Sequence, residues 1–501
     1  MEKFDLIIIG TGPAGAGAAF KARSLGLSVC LVEKGDTGGT CLNRGCIPTK
    51  TLLHAADLIR EEREGERYGV FAGDIRFDFG KLIEWKNTVV DSLRKNQSVA
   101  LVKAGVIMET GTARVEGPGK VSVTGEDGVK SLEAAAILVA AGTAPAMVPI
   151  PGHELPGVCT SDAFLTGEGL FPKRLAIIGG GVIGVEFAAA YNAFGSEVTI
   201  IEALPSLLAN MDREIGQTLA LQFKKRGVGI HTGVRVEKIE QGKGQPGELA
   251  VIVSREGGEN TVVSADIVLL AAGRKPDVAS LFAADSIPAL SPRGFIQADA
   301  TMKSSISGVY VAGDLSGGIQ LAHAAAAEGE YAAACIAEAL EGGDRANGGK
   351  DSGGSVGSGK DGGGKASSGK DTGNKEAGRA RVIPACVYTV PEIACAGLSA
   401  AEAKDRGIPA VTGKGVFGAN GRAFLENQER GFIKLVFHAE TQALIGAQFL
   451  CNHATEIIPW AVQCIEDGLG LEQIRRIVFP HPSYGETIAQ AVNDAVTRGG
   501  L

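Results

Sequence analysis

The chain has 501 residues, 72 of them glycine and nine cysteine, with a formal net charge of −8. That length calls for three or four domains. An acidic chain without a basic stripe argues against nucleic acid as a partner, and no apolar run reaches the ~18 residues of a membrane helix.

The opening MEKFDLIIIG is too short and too acidic at its start for a signal peptide and reads as a buried strand. It begins a unit running from Leu6 to Glu33: strand, GxGxxG turn, helix, second strand, terminal Glu. The same unit recurs from Leu175 to Glu202, and the spacing from Gly10 to Glu33 equals that from Gly179 to Glu202. One GxGxxG is weak evidence; two copies, each opening a helix and each followed by an acid at the next strand end, are a strong dinucleotide-binding signal. Gly10 and Gly179 make the tight turns, Gly12 and Gly181 let the backbone approach a pyrophosphate, and Gly15 and Gly184 let helix and strand pack closely. The pyrophosphate sits on a helix N-terminus. Glu33 and Glu202 are placed to bind a ribose diol, and an acid at Glu202 favours NAD over NADP.

Just after the first unit, GGTCLNRGC places Cys41 and Cys46 five positions apart. Thr49 occupies the position a plant-type iron–sulfur run needs for its third Cys, and no CxxC or close His completes a zinc set, so no metal is expected. The following IPTKTLLHAADLIREE is helical in pattern. Five residues of regular helix rise ~7.5 Å, whereas a disulfide rarely spans more than about 7 Å between Cα atoms. A Cys41–Cys46 bond therefore requires a distorted first turn, which Gly45 permits. A strained bond at a helix N-terminus is easily reduced and favours a thiolate there, which suits a catalytic dithiol. On the residues alone a structural crosslink and two packed thiols stay open. The remaining cysteines, Cys30, Cys159, Cys335, Cys386, Cys395, Cys451 and Cys464, are scattered packing residues, as expected in a reducing compartment such as the cytoplasm.

Further along, ILVAAGTAP and IVLLAAGRKP are apolar strands ending at Gly142 and Gly273, one downstream of each dinucleotide motif. GVYVAGDL is a strand ending at Asp314, a candidate partner for a ribitol or ribose hydroxyl. The helix after it opens near Leu321–His323, where its N-terminus can stabilise negative charge on a flavin, and is expected to end near Leu340. From 342 to about 378 the chain is Gly, Ser, Lys, Asp and Asn, a composition that cannot bury enough apolar area to order itself. GSVGSGKD within it fails as a P-loop, because Asp361 replaces the Ser/Thr and no strand precedes it. Globular patterning then resumes, with a hairpin over GFIKLVFHAETQALIGAQFL and a helix over ATEIIPWAVQCIEDGL. Near the end, His481 lies between Pro480 and Pro482 with Glu486 beginning a helix. A His–carboxylate pair suits general acid–base work on a thiol.

Taken in order, these motifs resemble the class I flavoprotein disulfide reductases, most closely the dihydrolipoyl dehydrogenases among them. GGTCLNRGCIPTK is similar to their redox-active motif, HPSYGE to their C-terminal His–Glu motif, and YTVPEIACAGLS to a segment in the same order. The resemblance covers the chain outside the Gly/Ser/Lys insert. It implies an α/β fold with two Rossmann-like dinucleotide-binding domains and a C-terminal α+β dimerisation domain. The expected partition is an FAD-binding domain over 1–150, an NAD-binding domain over 151–278, a return segment over 279–341, the insert over 342–380 and the dimerisation domain over 381–501. It implies FAD and NAD as cofactors, Cys41 as the interchange thiol, Cys46 as the thiol against the flavin, and Lys50 near the flavin paired with Glu186. It also implies a homodimer in which His481 and Glu486 reach the partner's disulfide, with a lipoyl-bearing protein of a 2-oxoacid dehydrogenase or glycine-cleavage system as substrate. Glutathione and trypanothione reductases carry arginines where this chain has Glu202. Two departures stand out: the insert, and Phe479 where many dihydrolipoyl dehydrogenases have a second His. The alternatives are an NADH-dependent reductase of another small disulfide, and a flavoprotein that senses NAD(H) without turnover.

Overall fold

The computed structural model describes residues 3–71, 73, 75–166, 171–255, 257–347 and 381–499. The chain forms two compact units. One gathers Met1–Gly39, Lys95–Thr143 and Pro276–Arg381; the other gathers Thr40–Arg94, Ala144–Lys275 and Val382–Leu501.

In the first unit the opening residues form strand β1 (Lys3–Ile9), helix α1 (Pro13–Ser24) and strand β2 (Val29–Glu33). β1 pairs in parallel with β2, Leu6 opposite Val29 and Ile8 opposite Leu31, and on its other side with Gly128–Val139. Ile107–Thr110 extends the sheet beyond β2, and Val309–Val311 lies beside Gly128–Val139. The apolar run over residues 6–9 that ends β1 is what a strand covered on both faces requires, and Leu6, Ile7 and Ile8 are wholly buried. The antiparallel additions Thr112–Gly117 and Lys120–Gly125 show alternating burial instead, as expected of strands with one wet face.

Helix α1 packs on the helix Ala322–Asn347 through small residues, Ala14, Ala18 and Ala22 against Ala325, Ala332 and Ala333. The approach is close enough that a Cβ on Gly329 would lie 2.0 Å from the Ala14 carbonyl oxygen. The second helix runs to Asn347, past the end expected near Leu340 and into the Gly-rich stretch. Once a helix is nucleated each added residue gains a bond, so a Gly pair weakens the continuation without forbidding it. The remainder of the expected insert, from 348 to 380, lies outside the described residues.

The second unit holds a parallel five-stranded sheet, in the order Gly229–Thr232, Glu197–Glu202, Arg174–Ile178, Ile267–Leu270 and Val158–Thr160. The antiparallel strands Arg235–Gln241, Leu249–Ser254 and Thr261–Ala265 form a separate three-stranded sheet. The C-terminal residues make an antiparallel five-stranded sheet containing the expected hairpin, Phe432–His438 with Leu444–Cys451. Helices Ala454–Glu466 and Glu486–Gly499 bury Ile458, Ala461, Ile488 and Val492 in its core.

The contact at Gly329 gives a direct test. Gly329→Ala forces backbone to move, so we expect it to destabilise the protein by about 1–3 kcal/mol, the usual range for overpacking. A fall in the urea midpoint of the first transition, at unchanged slope, is the expected readout.

Candidate active site

The two cysteines sit on either side of a helix break. Helix α2 (Gly39–Arg44) ends at Gly45, and helix α3 (Cys46–Glu64) begins immediately after it. Gly45 has φ −141° and ψ −111°, outside helical geometry. A Cβ there would meet the Thr40 carbonyl oxygen at 2.9 Å and the Cys41 Cα at 3.3 Å. The Gly45 carbonyl accepts from the Thr49 backbone N–H at 3.1 Å and the Thr49 hydroxyl at 2.7 Å, which closes the first turn of α3. The break expected from the spacing is present, and it folds Cys41 back over Cys46.

Both sulfurs are free thiols, hydrogen-bonded to each other. The Cys41 hydrogen bond, helped by the Lys50 ammonium, brings Cys46 down to about 7 against the opposing effects of burial and the Glu186 charge. The same hydrogen bond, and then burial, raise Cys41. Burial alone moves Cys159 the other way, up to about 12, and it is the largest cause of the rise of Cys386 to about 11. Cys46 is therefore set apart as a thiolate near neutral pH, the form that reacts.

One turn beyond Cys46, Lys50 Nζ lies 2.7 Å from Glu186 Oε2 and 2.9 Å from Oε1. Glu186, only 3% exposed, comes from the helix Val182–Phe194 that follows the second GxGxxG turn. Its Oε1 also accepts the Tyr388 backbone N–H at 3.0 Å, and the Lys50 ammonium stands 4.6 Å from the centre of the Tyr388 ring. Tyr388 was not singled out by the sequence reading. It lies within YTVPE, and its part depends on a backbone N–H that no side-chain pattern reveals. A cavity of about 280 Å³ behind α3 shares Tyr388 as a wall but is lined by neither cysteine.

His481 Nδ1 is 2.8 Å from Glu486 Oε1, and Glu486 Oε2 accepts the Ser483 N–H at 2.9 Å. These two bonds, that of Ser483 first, hold the Glu486 carboxyl below its ordinary range. The imidazole is 77% exposed. Among the described residues this pair makes no hydrogen bond or ion pair with Cys41 or Cys46. Phe479 packs edge-on against Trp460 at 6.2 Å between ring centres, and a Cβ on Gly485 would meet its ring at 2.9 Å. It is a packing residue of the turn that presents His481.

The two glycine turns share one geometry. Gly10 and Gly179 take φ of +102° and +119°, and a Cβ on Gly15 or Gly184 would fall within 1.9 Å of the carbonyl oxygen of Gly10 or Gly179. Gly181 faces open space at the start of its helix. Glu33 is fixed by the Thr11 N–H and hydroxyl and the Gly35 N–H; Glu202 by the Gly180 N–H at 2.6 Å and the Leu204 N–H at 2.7 Å. A Cβ on Gly39 would come within 2.6 Å of the Gly12 Cα, so the glycine pair before Cys41 fits against the first turn.

Comparison with known proteins identifies the family. The family model described as pyridine nucleotide-disulphide oxidoreductase matches residues 4–329, and the dimerisation domain of the same family matches 383–492. The chain belongs to the pyridine nucleotide-disulphide oxidoreductases. It is 33% identical over 495 residues to dihydrolipoyl dehydrogenase 3 of Haloarcula marismortui, covering 98% of this chain and 96% of that one. It is 34% identical over 492 residues to dihydrolipoyl dehydrogenase of Thermus scotoductus, covering 98% and 97%. Among solved structures, the Cu(II) complex of the HOCl-induced flavoprotein disulfide reductase RclA from Escherichia coli matches with a TM-score of 0.79 at 27% identity over 99% of both chains.

As a member of this family the chain is an oxidoreductase using FAD and NAD(H). Its own residues fit both groups. Each helix N-terminus, flanked by glycines where a Cβ would collide with backbone, suits a pyrophosphate, and each fixed carboxylate suits a ribose. In the first unit Asp314 lies in a short turn after Val309–Val311 and accepts the Thr143 hydroxyl at 2.8 Å, next to Gly142, whose φ is +69°. Leu321 precedes the helix Ala322–Asn347 and His323 is its second residue, exposed. In the second unit Gly273 takes φ +105° just beyond Ile267–Leu270. No cluster of metal-ligating side chains occurs among the described residues.

Because Lys50 favours the Cys46 thiolate, Lys50→Met removes a favourable charge and leaves Glu186 unpaired; both effects raise the thiol. We expect the pH midpoint of iodoacetamide labelling of the reduced protein to rise from about 7 by about one unit or more, on the ~1–3-unit scale of a neighbouring charge.

Proposed function

We propose that the chain is a dihydrolipoyl dehydrogenase, oxidising the dihydrolipoyl group of a carrier protein at the expense of NAD⁺. The observation that carries this reading is the asymmetric thiol pair: one half-buried dithiol in which only Cys46 is acidified. The relatives named dihydrolipoyl dehydrogenase over nearly the whole chain support the substrate.

The catalytic cycle follows from the chain's own groups. In the oxidised enzyme Cys41 and Cys46 share a disulfide. With Nδ1 bonded to Glu486, Nε2 of His481 takes the proton from one substrate thiol. The dimerisation domain supports a homodimer, in which this base is His481 of the partner subunit. The thiolate attacks the Cys41 sulfur, the Cys41–Cys46 bond breaks, and Cys46 leaves as a thiolate stabilised by the Lys50 charge. The second substrate thiol attacks the mixed disulfide, releasing the cyclic substrate disulfide and returning Cys41 as a thiol. Two electrons and two protons leave the substrate; the enzyme disulfide becomes the dithiol. Bound FAD and NAD⁺ supply the electron-accepting chemistry that reoxidises it. Scattered free cysteines and the lack of a membrane-crossing helix among the described residues fit a cytoplasmic enzyme.

NAD⁺ reduction driven by dihydrolipoamide tests the substrate. A second reading, reduction of another small disulfide, draws on Phe479 standing where a His is usual. Faster NADH-driven turnover of glutathione disulfide or CoA disulfide than of lipoamide would decide for it.

Two variants test the assignments. His481→Gln should slow dihydrolipoamide oxidation by ~10²–10⁴, the range of general acid–base catalysis, while flavin content and reduction by NADH stay unchanged. Glu202, fixed by two backbone N–H groups, repels a 2′-phosphate. NADH should therefore be preferred over NADPH by about 2–4 kcal/mol in kcat/KM, and Glu202→Gln should narrow the gap.

A further inference from the structure

The turn that carries Cys41 is too short to hold itself. Helix α2 has 6 residues, well below the ~12–15 at which an isolated helix becomes even marginal, and Gly45 breaks its continuity with α3. Its position must come from tertiary contacts.

Two such contacts grip the turn at its ends. Arg274 Nη2 donates to the Thr40 hydroxyl at 3.4 Å, immediately before Cys41, and Arg274 Nη1 donates to Asp162 Oδ1 at 3.2 Å. The other oxygen of the same carboxylate, Oδ2, lies 3.3 Å from Arg44 Nε, at the last residue of α2. Asp162 is the second residue of the helix Ser161–Thr166, which follows the edge strand of the second nucleotide sheet. Arg274 follows the neighbouring strand Ile267–Leu270 of that sheet, just past Gly273. The Arg274 and Asp162 side chains are 12% and 20% exposed, so solvent screens their pairing little. One carboxylate is thus shared between a guanidinium on the nucleotide fold and another between the two cysteines.

We propose that Asp162 and Arg274 form a positioning clamp on the Thr40–Arg44 turn, holding the Cys41 thiol where it donates to Cys46. The proposal rests on the reading of Cys41 and Cys46 as the reactive pair and adds the residues that set their geometry. The charged groups facing Cys46 are Lys50 on α3 and Glu186 on Val182–Phe194, with the Cys41 thiol on α2 as the strongest influence.

The clamp and a purely electrostatic effect of Asp162 predict opposite signs. Losing only the negative charge leaves Arg44 and Arg274 more positive in sum, which favours a thiolate and lowers the midpoint of Cys46. Losing the clamp frees the turn, removes the Cys41 hydrogen bond and raises it. The test is the pH dependence of iodoacetamide labelling of the reduced, desalted holoenzyme, read by mass of the Cys46 peptide.

For Asp162→Asn the expected result is a rise of about one pH unit over wild type, seen as roughly fivefold slower labelling at pH 7. Asp162→Glu, which keeps the carboxylate, should restore most of the wild-type rate. Thr40→Val, which removes the hydroxyl that Arg274 holds without changing any charge, should reproduce part of the rise and stands in if Asp162→Asn does not fold. A wild-type midpoint near 7 that stays put or falls in Asp162→Asn, or in Thr40→Val where it stands in, overturns the clamp alone. A wild-type midpoint in the ordinary thiol range overturns both the clamp and the reading of the reactive pair beneath it.

Discussion

Two thiols five residues apart on one helix cannot meet, and everything chemical in this molecule depends on how that is resolved. The resolution is a single residue without a side chain. Any Cβ at Gly45 would press on the Thr40 carbonyl and the Cys41 backbone, so only glycine lets the chain fold Cys41 back over Cys46 while α3 starts afresh. The restart has a second effect. Cys46 becomes the first residue of a 19-residue helix, where unpaired N–H groups favour negative charge.

Placing a thiolate at that point would be costly if it were simply buried, and the other cysteines show the size of the opposing effect: wherever burial dominates, the thiol rises. Cys46 escapes because a donor and a cation are built around it. The cation is itself restrained, since Lys50 is shared with Glu186, and Glu186 is anchored by the Tyr388 N–H. Glu186 weakens the field at Cys46 and in return holds the ammonium in place through both of its oxygens. The helix that carries Glu186 begins at the second dinucleotide turn, so the element that would carry a pyrophosphate at one end supports the dithiol from a point along its length.

Much of this could be read from the residues in order. Repeated glycine turns with an acid at equal spacing imply strand–turn–helix units because each glycine answers a different steric demand, and the carbonyl contacts at Gly15 and Gly184 show those demands at work. The helix break at Gly45 was legible from arithmetic on rise per residue. The His481–Glu486 pair was legible because prolines and a helix start bracket it. What escaped were contacts made by backbone groups or between residues far apart in the chain: the Tyr388 N–H on Glu186, and the carboxylate of Asp162 between Arg44 and Arg274. Neither has a periodicity or a spacing to betray it. The three-stranded antiparallel sheet at Arg235–Ala265 was also not singled out, because its outer strands Arg235–Gln241 and Thr261–Ala265 are mostly exposed and carry weak patterns. Phe479, which departs from the family pattern where a second His is usual, packs edge-on against Trp460.

The alanine-lined contact between α1 and the helix Ala322–Asn347 has a consequence for how ligands are met. Large side chains lose rotamer freedom when they are packed, up to ~2 kcal/mol each, whereas Ala and Gly lose none. An interface of Ala14, Ala18, Ala22, Ala325, Ala332 and Gly329 therefore reaches close contact with almost no side-chain entropy to surrender. The first glycine turn is attached to one of those two helices. It is fixed in place before any phosphate arrives, so little of the binding free energy of a nucleotide goes into ordering the site that receives it.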